Sequence, residues 1–150
     1  MECNQDRVPG ISNEEFLREF KKKVTQRRIP ISGNLAITHR CNLRCIHCYL
    51  GEEVSTPGNT AGEPDTGRCL TIIDEITRAG CLHLLITGCE PLLRTDFEDI
   101  DRRAKTNGLL VTVFTNGMLI NDYTLELFRR LPPREVEITI YGATPGTHDR

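Results

Sequence analysis

Three observations predict a parallel α/β fold. Four short apolar segments alternate with helical ones, and the helical segments end at helix-stopping residues (Gly80, Gly108, Pro132-Pro133). Residues suited to turns or to metal binding follow each of the four strands. The apolar share, 38% of 150 residues, suffices for one ordinary core.

The elements follow in order. Ser12-Asn13-Glu14-Glu15 places a hydroxyl at an N-cap and a carboxylate three residues on, and Phe16, Leu17, Phe20 and Val24 recur at helical spacing. This predicts a helix over 12–27, stopped by Pro30. Residues 34–38 read as a short buried strand (Leu35, Ala36, Ile37) leading into a cysteine-rich segment, and 51–67 as an exposed loop. Cys69, Leu70, Ile73, Ile76 and Thr77 share a helix face closed by Gly80 at C′. A second strand over 82–86, a helix over 97–105 with Gly108 behind it, and a Val-rich strand over 109–114 come next. Asn121-Asp122 caps a helix running to Leu131, and a fourth strand covers 136–140. Residues 1–30 thus form an N-terminal helical extension and 31–150 the α/β unit. A further crossover helix would begin near Gly146, so the sequence reads as the front part of a longer protein.

Charge and cysteine usage bound the function. Nineteen basic against 21 acidic side chains leave a net charge of −2 and no electrostatic case for nucleic acid or an anionic membrane. The longest apolar run, 81–87, is too short to span a bilayer, and Met1-Glu2-Cys3 opens a polar, acidic start unlike a secretion signal. Seven cysteines, three of them within eight residues, then read as metal or redox chemistry in a reduced, cytoplasmic protein.

In a parallel sheet the segments after the four strands emerge at one end, where α/β folds build active sites. Those segments hold Cys41, Cys45 and Cys48, then Gly88-Cys89-Glu90-Pro91, then Thr115-Asn116-Gly117, then Tyr141-Gly142. Three thiolates on one tight loop suit three corners of an iron–sulfur cubane and leave a fourth iron open. Zinc with His47 or His39 as fourth ligand, incidental cysteines, a non-catalytic iron–sulfur or zinc module, and an inactive fragment are the competing readings. Cys69 and Cys81 read as small core side chains, Glu90 as a backbone acceptor or ion-pair partner, and Asn116 as a turn-holding residue.

The run Cys41-Asn42-Leu43-Arg44-Cys45-Ile46-His47-Cys48 resembles the signature of the radical S-adenosylmethionine (SAM) superfamily. Thr87-Gly88-Cys89-Glu90-Pro91-Leu92-Leu93-Arg94 resembles its Gly-Gly-Glu-Pro motif, and Thr115-Asn116-Gly117 fits its third-strand segment. Residues 136–148 are similar to the peptide- and cofactor-maturing branch that often carries a C-terminal SPASM domain. The resemblance implies an incomplete parallel (β/α) barrel, about four of six units. It also implies a [4Fe-4S] cluster on Cys41, Cys45 and Cys48, with SAM on the fourth iron. Gly88, Cys89, Glu90 and Pro91 would face the SAM amino group, His47 the adenine, and Thr139 the ribose or carboxylate, with Asn116 nearby. The implied activity is reductive cleavage of SAM to a 5′-deoxyadenosyl radical that abstracts hydrogen from a peptide or cofactor precursor. The implied electron donor is a flavodoxin- or ferredoxin-like protein. Cys89 stands where the family usually has a second glycine. Its side chain adds bulk there, is strained if the position needs positive φ, and is a thiol that could compete for the open iron.

Overall fold

Four strands pair in chain order, β1-β2-β3-β4, every neighbour parallel. The computed structural model describes residues 10–46, 48, 50–51, 58–140 and 142–148, so the expectations for His47 and Tyr141 lie outside the described residues. The strands are β1 (Ser32–Ala36), β2 (His83–Thr87), β3 (Leu110–Thr115) and β4 (Glu135–Ile138); the helices are α1 (Asn13–Arg27), α2 (Thr66–Arg78), α3 (Phe97–Thr106), α4 (Asp122–Arg130) and a last turn, α5 (Pro145–His148). No helix among the described residues is long and apolar enough to cross a membrane.

Local chemistry sets the helix ends. The Ser12 hydroxyl accepts the Glu15 N–H at 3.1 Å, and Asn121 caps α4 in the same way through the Thr124 N–H at 3.0 Å. Helix α2 starts earlier than the apolar spacing indicates, because the Asp65 carboxylate accepts the Arg68 N–H at 2.7 Å and opens another turn. Helices α2 and α3 both end in Schellman turns. Gly80 (φ 95°) and Gly108 (φ 85°) adopt the left-handed conformation, while Cys81 N–H reaches the Ile76 carbonyl and Leu109 N–H the Ala104 carbonyl.

Two strands differ from the sequence expectation. Strand β1 covers 32–36 instead of 34–38, and Ala36 is exposed where a buried residue was expected. Its ladder ends because Ala36 pairs with Thr87, after which β2 turns at Gly88. Strand β4 ends at Ile138, opposite Thr115, because β3 turns away at Asn116-Gly117. Thr139 and Ile140 therefore lie beyond the strand and are exposed.

One face of the sheet carries the core. Leu84 and Ile86 of β2 and Val111 and Val113 of β3 pack with Cys69 and Ile73 of α2, Phe97, Ile100 and Ala104 of α3, and Leu127 of α4. Each such large side chain contributes about 1.5–3 kcal/mol on burial. Cys69 and Cys81 are buried there, as small core residues. Alternate residues such as Thr112, Phe114 and Glu137 lie on the other face, which no described helix covers. Helix α1 buries none of its residues, and the stripe that periodicity predicted stays at the surface, with Phe16 and Phe20 stacked on each other.

Two charged groups stitch the helical layer. The Arg94 guanidinium is almost wholly buried. It pairs with Asp96 through two nitrogens (2.8 and 2.6 Å) and donates to the carbonyls of Ile37 (2.9 Å) and Pro64 (2.8 Å). It thus ties the end of β1, the loop before α2 and the start of α3. The Lys105 ammonium lies 2.7 Å from both the Asp101 carboxylate and the Leu131 carbonyl, and Asp101 Oδ1 has no hydrogen-bond partner among the described residues. Burial pushes the Asp101 carboxyl up and the Lys105 ammonium down.

Asp101→Ala strands a buried ammonium and should cost about 3–5 kcal/mol in urea unfolding, whereas Asp101→Leu with Lys105→Met should be close to neutral. The bidentate bond from Arg94 holds the Asp96 carboxyl below the usual range. Its contribution is therefore present above the ordinary carboxylate pKa and lost as pH falls through the depressed value. Thermal stability should drop on acidification below about pH 4, and more shallowly in Asp96→Asn, whose starting stability is lower.

Candidate active site

The site is built from the turns at the carboxyl ends of β1, β2 and β3. Gly88 makes the tightest of them. It sits at φ 128°, and a Cβ there would lie 2.4 Å from the Thr38 carbonyl oxygen, so only glycine lets β2 pass the end of β1 this closely. Cys89 N–H then donates to the Thr38 carbonyl (3.0 Å) and Glu90 N–H to the Arg40 carbonyl (2.9 Å). The 88–91 turn is thus zipped along the residues that immediately precede Cys41.

Glu90 has no exposure to solvent. Its Oε1 accepts from Leu92 N–H (3.0 Å) and the Thr115 hydroxyl (2.8 Å), and its Oε2 from Asn116 N–H (2.7 Å). With these donors it acts as a structural acceptor joining the β2 and β3 turns. Pro91 opens a single 3₁₀ turn (Pro91–Leu93) capped by the same carboxylate. Asn116 holds its turn through Oδ1, which accepts Met118 N–H at 3.0 Å. Its amide nitrogen lies 2.9 Å from Asn42 Oδ1 and 3.9 Å from Cys41 Sγ.

The cysteine loop is held at its base by a residue that sequence reasoning missed. The Glu63 carboxylate accepts from the Thr38 hydroxyl, from His39 N–H at 2.9 Å, and from Arg40 Nε at 3.1 Å to each oxygen. Burial pushes this carboxyl up, but the hydrogen bonds from Thr38, Arg40 and His39 outweigh it and its pKa lies below the ordinary value. No local pattern marks Glu63, because its partners lie 23–25 residues away. A surface cleft of about 390 Å³ lined by Arg40, Glu63, Arg94 and Asp96 adjoins this base but includes none of the cysteines.

Cys41 and Cys48 are half-buried, Cys45 is exposed, and all three are free thiols. Leu43 N–H donates to Cys41 Sγ at 3.4 Å, and Cys48 N–H to the Cys45 carbonyl at 3.1 Å. Among the described residues no three His, Cys, Asp or Glu side chains are already arranged around a common metal position. The donor set nevertheless fits an iron–sulfur cluster: three soft thiols on one short loop, one of them already receiving N–H donors as a ligating thiolate does. Of the two histidines in the zinc alternative, His39 is exposed and His47 lies outside the described residues.

Cys89 is half-buried beside this loop. The strain raised by the sequence is absent, since Gly88 takes the positive φ and Arg28 is the one non-glycine at positive φ among the described residues. Burial, with Cys41 and Cys48 facing it, pushes its thiol up to about 11, so it stays protonated near neutral pH. Thr139 is exposed beyond β4, and His47 lies outside the described residues.

Comparison with known proteins places this geometry. The family model of the radical SAM superfamily matches residues 35–150. The chain is 36% identical over 113 residues to an AdoMet-dependent heme synthase of Methanosarcina barkeri, covering 75% of this chain and 32% of that protein. It is 34% identical over 123 residues to the mycofactocin maturase MftC of Mycobacterium tuberculosis, covering 80% and 30%. It is 30% identical over 121 residues to a PqqA peptide cyclase of Ruegeria pomeroyi, covering 81% and 32%. The chain therefore spans about a third of the length of these curated relatives. The fold is that of Streptococcus suis SuiB bound to its precursor peptide SuiA, with a TM-score of 0.70 at 17% identity over 99% of this chain and 34% of that one. SuiB bound to S-adenosylmethionine gives 0.66 at 18% identity, covering 97% and 33%. The family's cofactors are a [4Fe-4S] cluster and S-adenosylmethionine. A parallel sheet with the cysteine loop, the Gly88–Pro91 turn and Asn116 gathered at one end, matched by family over 35–150, makes this chain a member of the radical SAM superfamily.

Proposed function

We propose that Cys41, Cys45 and Cys48 hold the [4Fe-4S] cluster and that the chain is the cofactor-binding part of an enzyme acting on a precursor peptide or cofactor precursor. The observation that carries this reading is a loop with three free thiols whose base, residues 38–40, is bonded to the Gly88–Pro91 turn and whose Cys41 meets Asn116. When bound, cluster and S-adenosylmethionine supply reductive cleavage of the sulfonium and a 5′-deoxyadenosyl radical for hydrogen abstraction.

The chain's own residues do the rest. The three thiols are soft ligands for iron. The Thr38 and Arg40 carbonyls fix the backbone of Cys89 and Glu90, and Glu63 fixes residues 38–40 in turn, so the loop and the turn keep one spacing. Backbone polar atoms of Gly88, Cys89, Glu90 and Pro91 would hold the amino group of the methionine part. Thr139, on the exposed segment after β4, would meet the ribose or carboxylate, and the adenine contact expected of His47 falls outside the described residues. Glu90 is a positioning residue, because its oxygens are occupied by Leu92, Thr115 and Asn116. Residues 31–150 form the first part of the barrel. The outer edge of β4, with Ile138 and Ile140 exposed beside it, fits a further strand. A peptide substrate is supported by the precursor peptide seen with SuiB and by the PqqA peptide cyclase relative. A flavodoxin- or ferredoxin-like protein is the electron donor in this reading.

Anaerobic reconstitution tests the ligand set. Alanine at Cys41, Cys45 or Cys48 should remove most of the iron and the brown colour, while Cys69→Ala should keep both. Full iron retention in all three ligand variants would overturn the assignment. Cys89→Gly keeps the N–H that reaches Thr38 and needs no new backbone conformation, so S-adenosylmethionine affinity in calorimetric titration should change by less than about threefold, under ~1 kcal/mol. A tenfold tightening would instead show that the thiol crowds the pocket.

A further inference from the structure

We propose that Asn116 tunes the reduction of the iron–sulfur centre by donating its side-chain N–H to the Cys41 sulfur. The inference rests on the reading of Cys41 as a cluster ligand and adds a role for a side chain outside the ligand set. The orientation of the Asn116 amide follows from its neighbours. Oδ1 accepts Met118 N–H at 3.0 Å, which turns the NH₂ group toward Asn42 Oδ1 (2.9 Å) and Cys41 Sγ (3.9 Å). The two amide hydrogens serve two acceptors, one of them the sulfur.

The rest of the residue cannot drift. Its backbone N–H is held by the buried Glu90 at 2.7 Å, Glu90 also takes the Thr115 hydroxyl, and Gly117 N–H closes onto that hydroxyl at 3.1 Å. On the ligand side, Cys41 Sγ also receives Leu43 N–H at 3.4 Å, and its loop is pinned by Glu63. The N–H···S contact therefore joins two rigid turns.

The electrostatics follow from charge. One-electron reduction by an external protein donor adds one negative charge, shared among the irons, sulfides and thiolates. A donor aimed at a ligating sulfur stabilises the more negative, reduced form and raises the potential. Removing the donor should make the centre harder to reduce.

Two substitutions separate this from a purely structural role. Asn116→Asp keeps the acceptor for Met118 N–H, loses the donor and adds a charge; Asn116→Ala loses both functions. The anaerobically reconstituted chain and both variants are titrated with reductant at poised potentials, followed by the electron paramagnetic resonance signal of the reduced form, with iron per chain measured alongside. We expect similar iron content. We also expect a reduction equilibrium less favourable by about threefold to tenfold in Asn116→Ala, tenfold being 59 mV for one electron, and a larger shift in Asn116→Asp. Equal potentials in all three loaded proteins would overturn the inference while leaving the ligand assignment intact. Loss of the iron from both variants would also overturn it and make Asn116 a strut of the loop. No iron uptake by the unsubstituted chain would overturn the ligand assignment, and this inference with it.

Discussion

A carboxylate with no access to water, that of Glu90, holds the carboxyl ends of the strands in one arrangement. Burying such a group is costly unless its oxygens are satisfied, and here three donors do so: Leu92 N–H, the Thr115 hydroxyl and Asn116 N–H. The donors come from its own turn and from the end of β3, so the cost is offset only when those two segments are in register. Through Asn116 the arrangement reaches the cysteine loop, and through the Glu90 N–H it reaches the Arg40 carbonyl. A displaced β3 end would leave a buried carboxylate short of partners, so the two turns are coupled.

The two faces of the sheet are unequal. Helices α2, α3 and α4 cover one face with an apolar layer closed by the Arg94 and Lys105 pairs. The other face carries Thr112, Phe114 and Glu137 and is uncovered by any described helix. Parallel sheets ordinarily have both faces covered, in barrels by the sheet curling on itself. The likeness to SuiB over nearly the whole chain, with this chain matching about a third of that protein, agrees with such a curved sheet.

Around the cysteines, the charges and the thiols divide the labour. Glu63 fixes residues 38–40 and Arg94 fixes the carbonyl of Ile37, so the base of the loop is held by protein groups alone. The thiols themselves are held only by N–H donors to Cys41 among the contacts described, and Cys45 is open to solvent. A rigid base under exposed or half-buried thiols is compatible with the proposed cluster site, in which metal binding orders the ligands.

Sequence by itself determined what is local or chemical. The helix caps at Ser12 and Asn121, the stops at Gly80 and Gly108, the alternation of strands with helices and the x3, x2 spacing of Cys41, Cys45 and Cys48 depend on neighbouring residues, and periodicity and side-chain chemistry show them. Glu90 as an acceptor and Cys69 and Cys81 as core residues were legible for the same reason. The strand ends were not, because a parallel ladder stops where its partner turns: Thr87 ends β1 and Thr115 ends β4, and Thr139 falls outside the strand as a result. Nor could periodicity foresee that α1 would bury none of its apolar stripe among the described residues, since amphipathicity marks a face but not its partner. Only tertiary structure could bring Glu63 to Thr38 and Arg40 or Asn116 to Cys41, contacts across 23 to 75 residues whose energy comes from burial that the folded sheet alone creates.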